Sequence, residues 1–514
     1  MVFSWAALKT ELSVLCRHGQ FTGKLHQHTT EEWTALYSDL QGEGSVYKVI
    51  VSLKEEQLKK VLEAFPCSPN VEDVQMMHPD QTISLGILEE HPDYHFGKQW
   101  FFTPPPLVFP LRMEQGWIGI AVGAEPGRNL FTTVSLKAAG TGEYEVHVYY
   151  DGYYKEEGKA CTVFLTNEYH ASPNEVIASY SRLLQELKWA PAPKRSIPDW
   201  WKETFLCTWG DQFNITKINQ SKPNKETETH HITTYETQAN QTKWFKTLQD
   251  YGIPVGIIST SDKWQLDRYR PVPDEDRYED LRAFVDWHHR EGRKVIAWWG
   301  LWHIDGAPAE WSIRDENGKP LTLDPEHPEL RKVMKEDIKQ LISPDGFDMD
   351  GFFIDFTGRH PNGENCKKYG DKWGMELLYD YVKCIHDNAK SAKSDAMIMT
   401  HCCHPYFADV TDVFRLNDFL SKAPNSVQQG EYRYNIAAMT SDWLINMDNW
   451  WMYDLEQWRK YQKYAPTKGI PAAWHTQGVF GMGADSYGYE PFTEEDYIEW
   501  RDLWMEYRKK AGLS

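Results

Sequence analysis

The sequence predicts a (β/α)8 TIM barrel preceded by an N-terminal antiparallel β-sandwich domain, on three observations. At 514 residues the chain exceeds what one hydrophobic core normally supports, so two domains are expected. Its first third alternates apolar and polar residues between Gly-rich turns, the pattern of half-buried antiparallel strands. After a proline-rich linker, eight short apolar runs alternate with helical segments to the C-terminus, the rhythm of a barrel. The divisions expected are a sandwich over 1–172, a helical linker over 173–198 with the boundary near 195, and a barrel over 199–514.

Each element has its local reason. "GWIGIAVGAEPG", "LFTTVSLKAAGTG" and "EYEVHVYYDGYY" read as sandwich strands, and "FFTPPPLVFP" as a proline-stiffened loop. "NEVIASYSRLLQELK" has helical spacing, and "APAPKRSIP" behind it is a semi-rigid linker. In the barrel half, "ETFLCTWGDQF", "PVGIISTSDKW", "KVIAWWGLWHIDG", "FDMDGFFIDFTG", "DAMIMTHCCHP", "VTDVFRL", "DWLINMDNWW" and "GIPAAWHTQG" supply the eight strands. Helices fall between them, two closed by Gly252 and Gly292. A doubly wound open sheet fits less well, because no Gly-rich dinucleotide loop follows the first strand.

Barrel strands bury both faces, and their C-terminal ends open onto the site where barrel enzymes work. The run "GFFI" ends on Asp355 at that position of strand four. Taken in order, the other strand ends offer Trp209 and Asp211; Asp262 and Trp264; Trp299, Trp302 and His303; then, beyond Asp355, His401 to His404; Arg415, Asn417 and Asp418; Asp448, Asn449 and Trp450; and His475 with Gln477. Aromatics and carboxylates around one rim suit a neutral polyhydroxylated ligand. Trp209 is expected to face it. Two carboxylates are what glycosidic cleavage needs, one to protonate the leaving oxygen and one as nucleophile or activator of water. Asp355 and Asp418, one strand apart, are the natural pair.

Composition narrows the classes. Hydrophobic residues at 41% and charged residues at 25% are ordinary for a folded protein, whereas 14% aromatics with 23 Trp are not. Against 55 Lys+Arg stand 75 Asp+Glu, a net charge of −20 that repels phosphate backbones, so no nucleic-acid partner is expected. No stretch approaches the ~20 apolar residues that span a bilayer. The start "MVFSWAALKTELSVLCRHGQ" lacks the basic and apolar regions of a signal peptide, and the eight Cys show no framework spacing. A cytoplasmic location without membrane contact is the resulting expectation.

"GFDMDGFFIDF" resembles the strand-four nucleophile motif of the clan D α-retaining glycosidases, glycoside hydrolase families 27, 31 and 36. "SDKWQ" is similar to the strand-two segment of family 36, "RLNDF" to its acid/base segment and "REGRKVIAWWGLW" to its strand-three stretch. The resemblance covers about residues 200 to 480 by sequence, and the sandwich by its order. It implies α-galactosidase-like exo-cleavage, with α-glucosidase or transglycosylase activity next and a non-catalytic sugar-binding protein as the alternative of another class. It further implies that Asp355 is the nucleophile and Asp418 the acid/base, that Asp262 and Trp264 hold the sugar, and that Arg415 tunes the acid. No cofactor, an oligosaccharide or glycoside partner and a homo-oligomer follow from it as well. The sequence departs from family 36 at Ser261 and Lys263, where Asp and Gly are favoured, and at Phe353, where a sugar-binding Lys is usual. Its Arg415 precedes the acid by three residues rather than four. Asp412 is the reserve acid, and the C-terminal β-domain common in relatives is expected to be missing.

Other motifs read as structure. Four consecutive side chains of "HCCH" cannot converge on one metal, because neighbours on a strand point to opposite faces, so no metal site is expected. "DGFDMDG" lacks the register and closing Glu of a calcium loop, and its acids are expected in the turn before strand four. The basic last turn "EYRKKAG" suits the helix dipole.

Overall fold

The computed structural model describes residues 25–40, 44–53, 61–67, 82–87, 102–138, 142–154, 158–192, 196–221, 231–421, 423–483 and 485–513. The N-terminal stretch read for a signal peptide and the expected boundary at 195 lie outside them. Two antiparallel sheets build the N-terminal part. One has six strands in the order Leu25–Thr29, Trp33–Leu40, Gly158–Thr166, Gly116–Gly123, Val108–Met113, Glu63–Ala64. The other has four, Gly44–Ser52, Glu143–Tyr154, Thr133–Ala138 and Thr82–Gly86. Alternation supplies the layer between them: Val134 and Leu136 from one strand and Val146 and Val148 from the next are fully buried.

The helix Pro173–Glu186 starts where the sequence tells it to. Ser172 accepts from the Glu175 N–H at 3.2 Å while the Glu175 carboxylate accepts from the Ala171 N–H, and Pro173 needs no partner in the first turn. Its buried face ties the two halves of the chain together. The Tyr180 hydroxyl donates to the Val122 carbonyl of the sandwich at 2.7 Å and lies 2.9 Å from His404 Nε2 of the barrel.

Eight parallel strands form the barrel: one, Phe205–Cys207; two, Ile257–Ser259; three, Lys294–Gly300; four, Gly351–Asp355; five, Met397–Thr400; six, Val413–Arg415; seven, Leu444–Asn446; eight, Ala472–Ala473. A parallel bridge between Asn446 and Ile470 brings strand seven to strand eight. Period-two alternation sorts the side chains. Phe205, Ile296, Trp298, Phe353, Met399 and Trp474 fill one cluster inside the barrel, while Phe352 and Ile354 pack into the main core outside it. The first strand is shorter than its apolar run suggested, because the helix Trp209–Gln220 begins two residues after Cys207. Among the described residues, no helix is long and apolar enough to cross a membrane.

The acids before strand four do occupy a turn, as an ionic hub under the barrel. Asp350 is fully buried and accepts from the Val295 N–H at 2.9 Å, His289 Nε2 at 2.7 Å, Lys294 at 3.0 Å and Lys393 at 3.2 Å. Burial alone would raise its pKa, but His289, Lys393 and Lys294 together hold it below the ordinary carboxylate value. Its stabilisation is therefore complete above the unfolded pKa and is lost as pH falls through the lower folded one. Asp350→Ala leaves the buried Val295 N–H without its acceptor and Lys294 without its carboxylate, while Lys393 and His289 keep Asp348, and should cost about 1–3 kcal/mol of stability near neutral pH. Denaturant melts of the two proteins should converge in strong acid.

Candidate active site

Strand four carries Phe353 and Asp355 on its inward face, and the register ends with Asp355 at the open end of the barrel. A cavity of about 120 Å³ opens there. It is walled by Trp209, Ser261, Asp262, Trp298, Asp355, Phe356, Arg415, Asp418, Trp450 and Trp474, with Cys207 at its base. A smaller recess beside it is lined by Thr103, Gly358, His401 and Asn417, and both hollows share Asp355, Phe356 and Asp418.

Arg415 organises this end of the barrel. Its guanidinium is 1% exposed and sits 4.8 Å from the ring centroids of both Phe353 and Trp474. Its nitrogens lie 2.6 Å from Asp448 Oδ2, 2.5 Å from Asp418 Oδ1 and 3.6 Å from Asp355 Oδ1. Phe353, where the resemblance led to a Lys, thus supports the arginine from below. One cation serves three carboxylates, so the three are not equivalent. Asp448 is fully buried and also accepts from the Asn449 and Trp450 N–H groups, each at 2.6 Å. Asp355 accepts from the Phe356 N–H at 3.0 Å and the Trp298 indole at 3.2 Å. Asp418 has Arg415 alone as donor among the described residues.

The titration follows the donors. Burial would raise Asp355, but Arg415, then His401, the Phe356 N–H and the Trp298 indole outweigh it and hold the carboxyl below its usual range. Burial and the charges of Asp355 and Asp448 push Asp418 up to about 7 against the pull of Arg415. Opposite shifts in two neighbouring carboxyls are what can separate an acid from a base or nucleophile in one site.

The remaining residues divide. Asp262 lines the cavity, oriented by a two-point pair with Arg268 at 2.8 and 2.9 Å. Next to it Lys263 takes φ 74°, which explains the glycine favoured there in family 36, and its amine turns back to the Leu266 carbonyl. Trp209 reaches the cavity from the first turn of its helix rather than from the strand. Gly210 permits this, since a Cβ there would lie 2.3 Å from the Trp474 carbonyl oxygen. His401 faces the recess, with Nε2 2.7 Å from Thr357 Oγ1 and Nδ1 3.9 Å from Asp355. Thr103, from the N-terminal part, meets the same Thr357 hydroxyl at 2.5 Å.

Other expected ligand contacts lie outside the cavity wall. Asp211 accepts from the Thr476 N–H at 3.0 Å and braces the loop after strand eight. Trp264 is buried and donates to the Trp298 carbonyl at 2.7 Å, and Trp302 donates to the Thr357 carbonyl at 3.1 Å. Trp299 points to the outer core and donates to the Arg268 carbonyl, while its neighbour Trp298 points inward. His303 packs its ring against Phe356 at 5.5 Å, behind the wall, and burial takes its pKa down to about 4. Asp448 acts beneath Arg415. Asp412 sits at the closed end of the barrel, accepting from the Ile398 N–H at 2.8 Å and paired with Lys390 at 2.7 Å. The "HCCH" side chains diverge: Cys402 toward the Thr103 carbonyl, Cys403 toward Thr440 and His404 toward Tyr180. Trp450, expected at the end of strand seven, does line the cavity, whereas Trp298, Trp474, Phe356, Ser261, Cys207 and Thr103 were not expected to line the site.

No family model matches the chain, and no curated protein matches it by sequence. Its fold is shared with solved glycoside hydrolases. A family 31 sulfoquinovosidase from E. rectale superposes with a TM-score of 0.60 at 12% identity, over 95% of this chain and 72% of that one. An α-galactosidase from Thermus thermophilus in complex with stachyose gives 0.58 at 12% identity, over 94% and 96%. A cycloalternan-degrading enzyme from Trueperella pyogenes in complex with isomaltose gives 0.59 at 14%, over 95% and 72%. The barrel with its preceding sandwich is therefore the fold of clan D glycoside hydrolases.

The coupling of the two carboxyls can be measured directly. In carboxyl carbon NMR Asp418 should titrate near pH 7. Asp355→Asn removes a neighbouring negative charge, so the Asp418 midpoint should move down, by one unit or more for a charge at close range.

Proposed function

We propose that the protein is a retaining, exo-acting α-glycoside hydrolase of α-galactosidase type, with α-glucosides as the second substrate class. The observation that carries the reading is the pair Asp355 and Asp418, with pKa values driven apart across one buried arginine at the mouth of an aromatic-walled pocket. A sugar-binding protein has no use for a carboxyl held protonated near neutrality beside an ionised one. The resemblance of the four motifs and the shared fold of enzymes that include an α-galactosidase support the same conclusion.

Ionised Asp355 attacks the anomeric carbon as Asp418 gives its proton to the departing oxygen. The glycosidic bond breaks, and a glycosyl ester on Asp355 forms with inverted configuration. Asp418, now ionised, takes a proton from water, whose oxygen attacks the anomeric carbon, expels Asp355 and restores the original configuration. Trp298 and the Phe356 N–H hold the nucleophile in place, and Arg415 stabilises it as the leaving carboxylate of the second step. Asp262, locked by Arg268, accepts from ring hydroxyls, while Trp209 and Trp474 meet the sugar's C–H faces.

Hydrolysis of p-nitrophenyl α- and β-glycosides tests the reading. Wild type should cleave an α-glycoside, and Asp355→Ala should be inactive until azide is added and a β-glycosyl azide accumulates. Turnover of β-glycosides alone, or an active Asp355→Ala, would refute it. The profile of kcat/KM against pH should be bell-shaped. Its basic limb should fall near pH 7 as Asp418 loses its proton, and its acid limb should lie below the usual carboxylate range as Asp355 gains one. Asp418→Ala should cost about 10²–10⁴-fold on a disaccharide, whose leaving group needs protonation.

A further inference from the structure

Behind the cavity wall lies a carboxyl that the catalytic steps do not use. Glu236 follows the short turn Ile232–Tyr235, between strands one and two, and is fully buried. Its two oxygens serve two different elements of the site. Oε1 accepts from the Ser261 N–H at 2.9 Å and from the Tyr278 hydroxyl at 2.7 Å. Oε2 accepts from Gln212 Nε2 at 2.6 Å, and the Gln241 amide reaches both oxygens at 3.1 Å. Ser261 and the Asp262 that follows it line the cavity. Gln212 lies three residues after Trp209 on the helix Trp209–Gln220. One carboxyl thus joins the loop that carries Asp262 to the helix that carries Trp209.

These donors are neutral, and Arg277 donates to the Glu236 backbone carbonyl, at 3.2 Å. Burial lifts the pKa of the carboxyl to about 7 against the pull of its donors. An acid buried among neutral partners is costly, and such groups gather at functional sites. We propose, on the functional reading above, that Glu236 is a positioning residue for the sugar-binding wall. It sets Asp262 and Trp209 at the separation at which one pyranose ring meets both. The hydrogen bonds of Asp355 and Asp418 run to Phe356, Trp298 and Arg415, so the chemical step does not depend on Glu236. Contacts to the ring exist before and during cleavage, so loosening them raises KM with little change in kcat.

The test compares full-length wild type and three variants on the p-nitrophenyl α-glycoside that wild type cleaves. Glu236→Leu removes the acceptors but keeps the bulk, and should raise KM about tenfold or more with kcat within about threefold. Glu236→Gln should keep KM within about threefold of wild type. Gln212 Oε1 and Gln241 Oε1 have no partner among the described residues, so either amide can turn its oxygen toward the new N–H groups. Gln212→Met cuts the tie to the helix alone and should raise KM about threefold or more, which keeps the test open if Glu236→Leu does not fold. A smaller folded fraction lowers kcat and leaves KM in place, so KM separates positioning from stability. An unchanged KM in Glu236→Leu or Gln212→Met would overturn the proposal, as would a Glu236→Gln impaired as much as Glu236→Leu. Calorimetric binding of D-galactose and D-glucose to the same proteins keeps the two readings apart. A wild type that binds one of them but cleaves no glycoside overturns the hydrolase reading alone. There a Kd raised about tenfold in Glu236→Leu upholds the role of Glu236, and an unchanged Kd overturns it. A wild type that neither cleaves nor binds overturns both.

Discussion

The buried guanidinium of Arg415 is the interaction on which the rest of the site depends. A charge this deep is tolerated only when opposite charges and hydrogen-bond acceptors surround it. Asp448 supplies the closest support from below, and the faces of Phe353 and Trp474 fill the remaining directions. Three carboxylates share one ion-paired arginine, with the buried Arg433 also coupled to Asp448 and Asp418, and the excess negative charge that remains favours retention of a proton. The proton settles where hydrogen-bond donors are fewest, on Asp418, because Asp355 and Asp448 each accept backbone N–H groups as well. The opposite shifts of Asp355 and Asp418 thus follow how many donors each carboxylate meets.

Backbone geometry at the mouth serves the same end. Phe356 follows Asp355 with φ 57°, Asn417 precedes Asp418 with φ 65°, Asp448 has φ 48° and Lys263 follows Asp262 with φ 74°. Each left-handed residue makes the chain turn sharply at a strand end, which leaves Asp355, Asp418 and Asp262 in the cavity and Asp448 beneath Arg415. The conformational cost at such positions is about 1–3 kcal/mol each, offset by the packed barrel below.

The N-terminal part is not a bystander. Thr103 meets the hydroxyl of Thr357, which in turn meets His401 beside Asp355, and the Thr103 and Pro104 carbonyls accept from Cys402 and the His404 N–H. Tyr180 joins sandwich and barrel behind the same loop. The recess next to Asp355 is therefore walled by both halves of the chain.

Sequence alone determined what local chemistry determines. Helix Pro173–Glu186 was legible from its spacing, the eight strands from their apolar runs, and Asp355 and Asp418 from carboxylates ending such runs. It could not separate Trp298 from Trp299, because a barrel strand is apolar on both faces and "VIAWWG" shows no alternation to read. Asp211, Trp264 and Trp302 stand at the right sequence positions, yet backbone groups of neighbouring loops capture them, and those partners are fixed only when the barrel closes. Thr103 gave no local signal at all, since its role comes from a contact 254 residues away. The sequence thus named the chemistry, which resides in residue types. Tertiary structure decided which copies of those residues face the cavity and which carboxyl keeps the proton, because both depend on neighbours that only folding brings together.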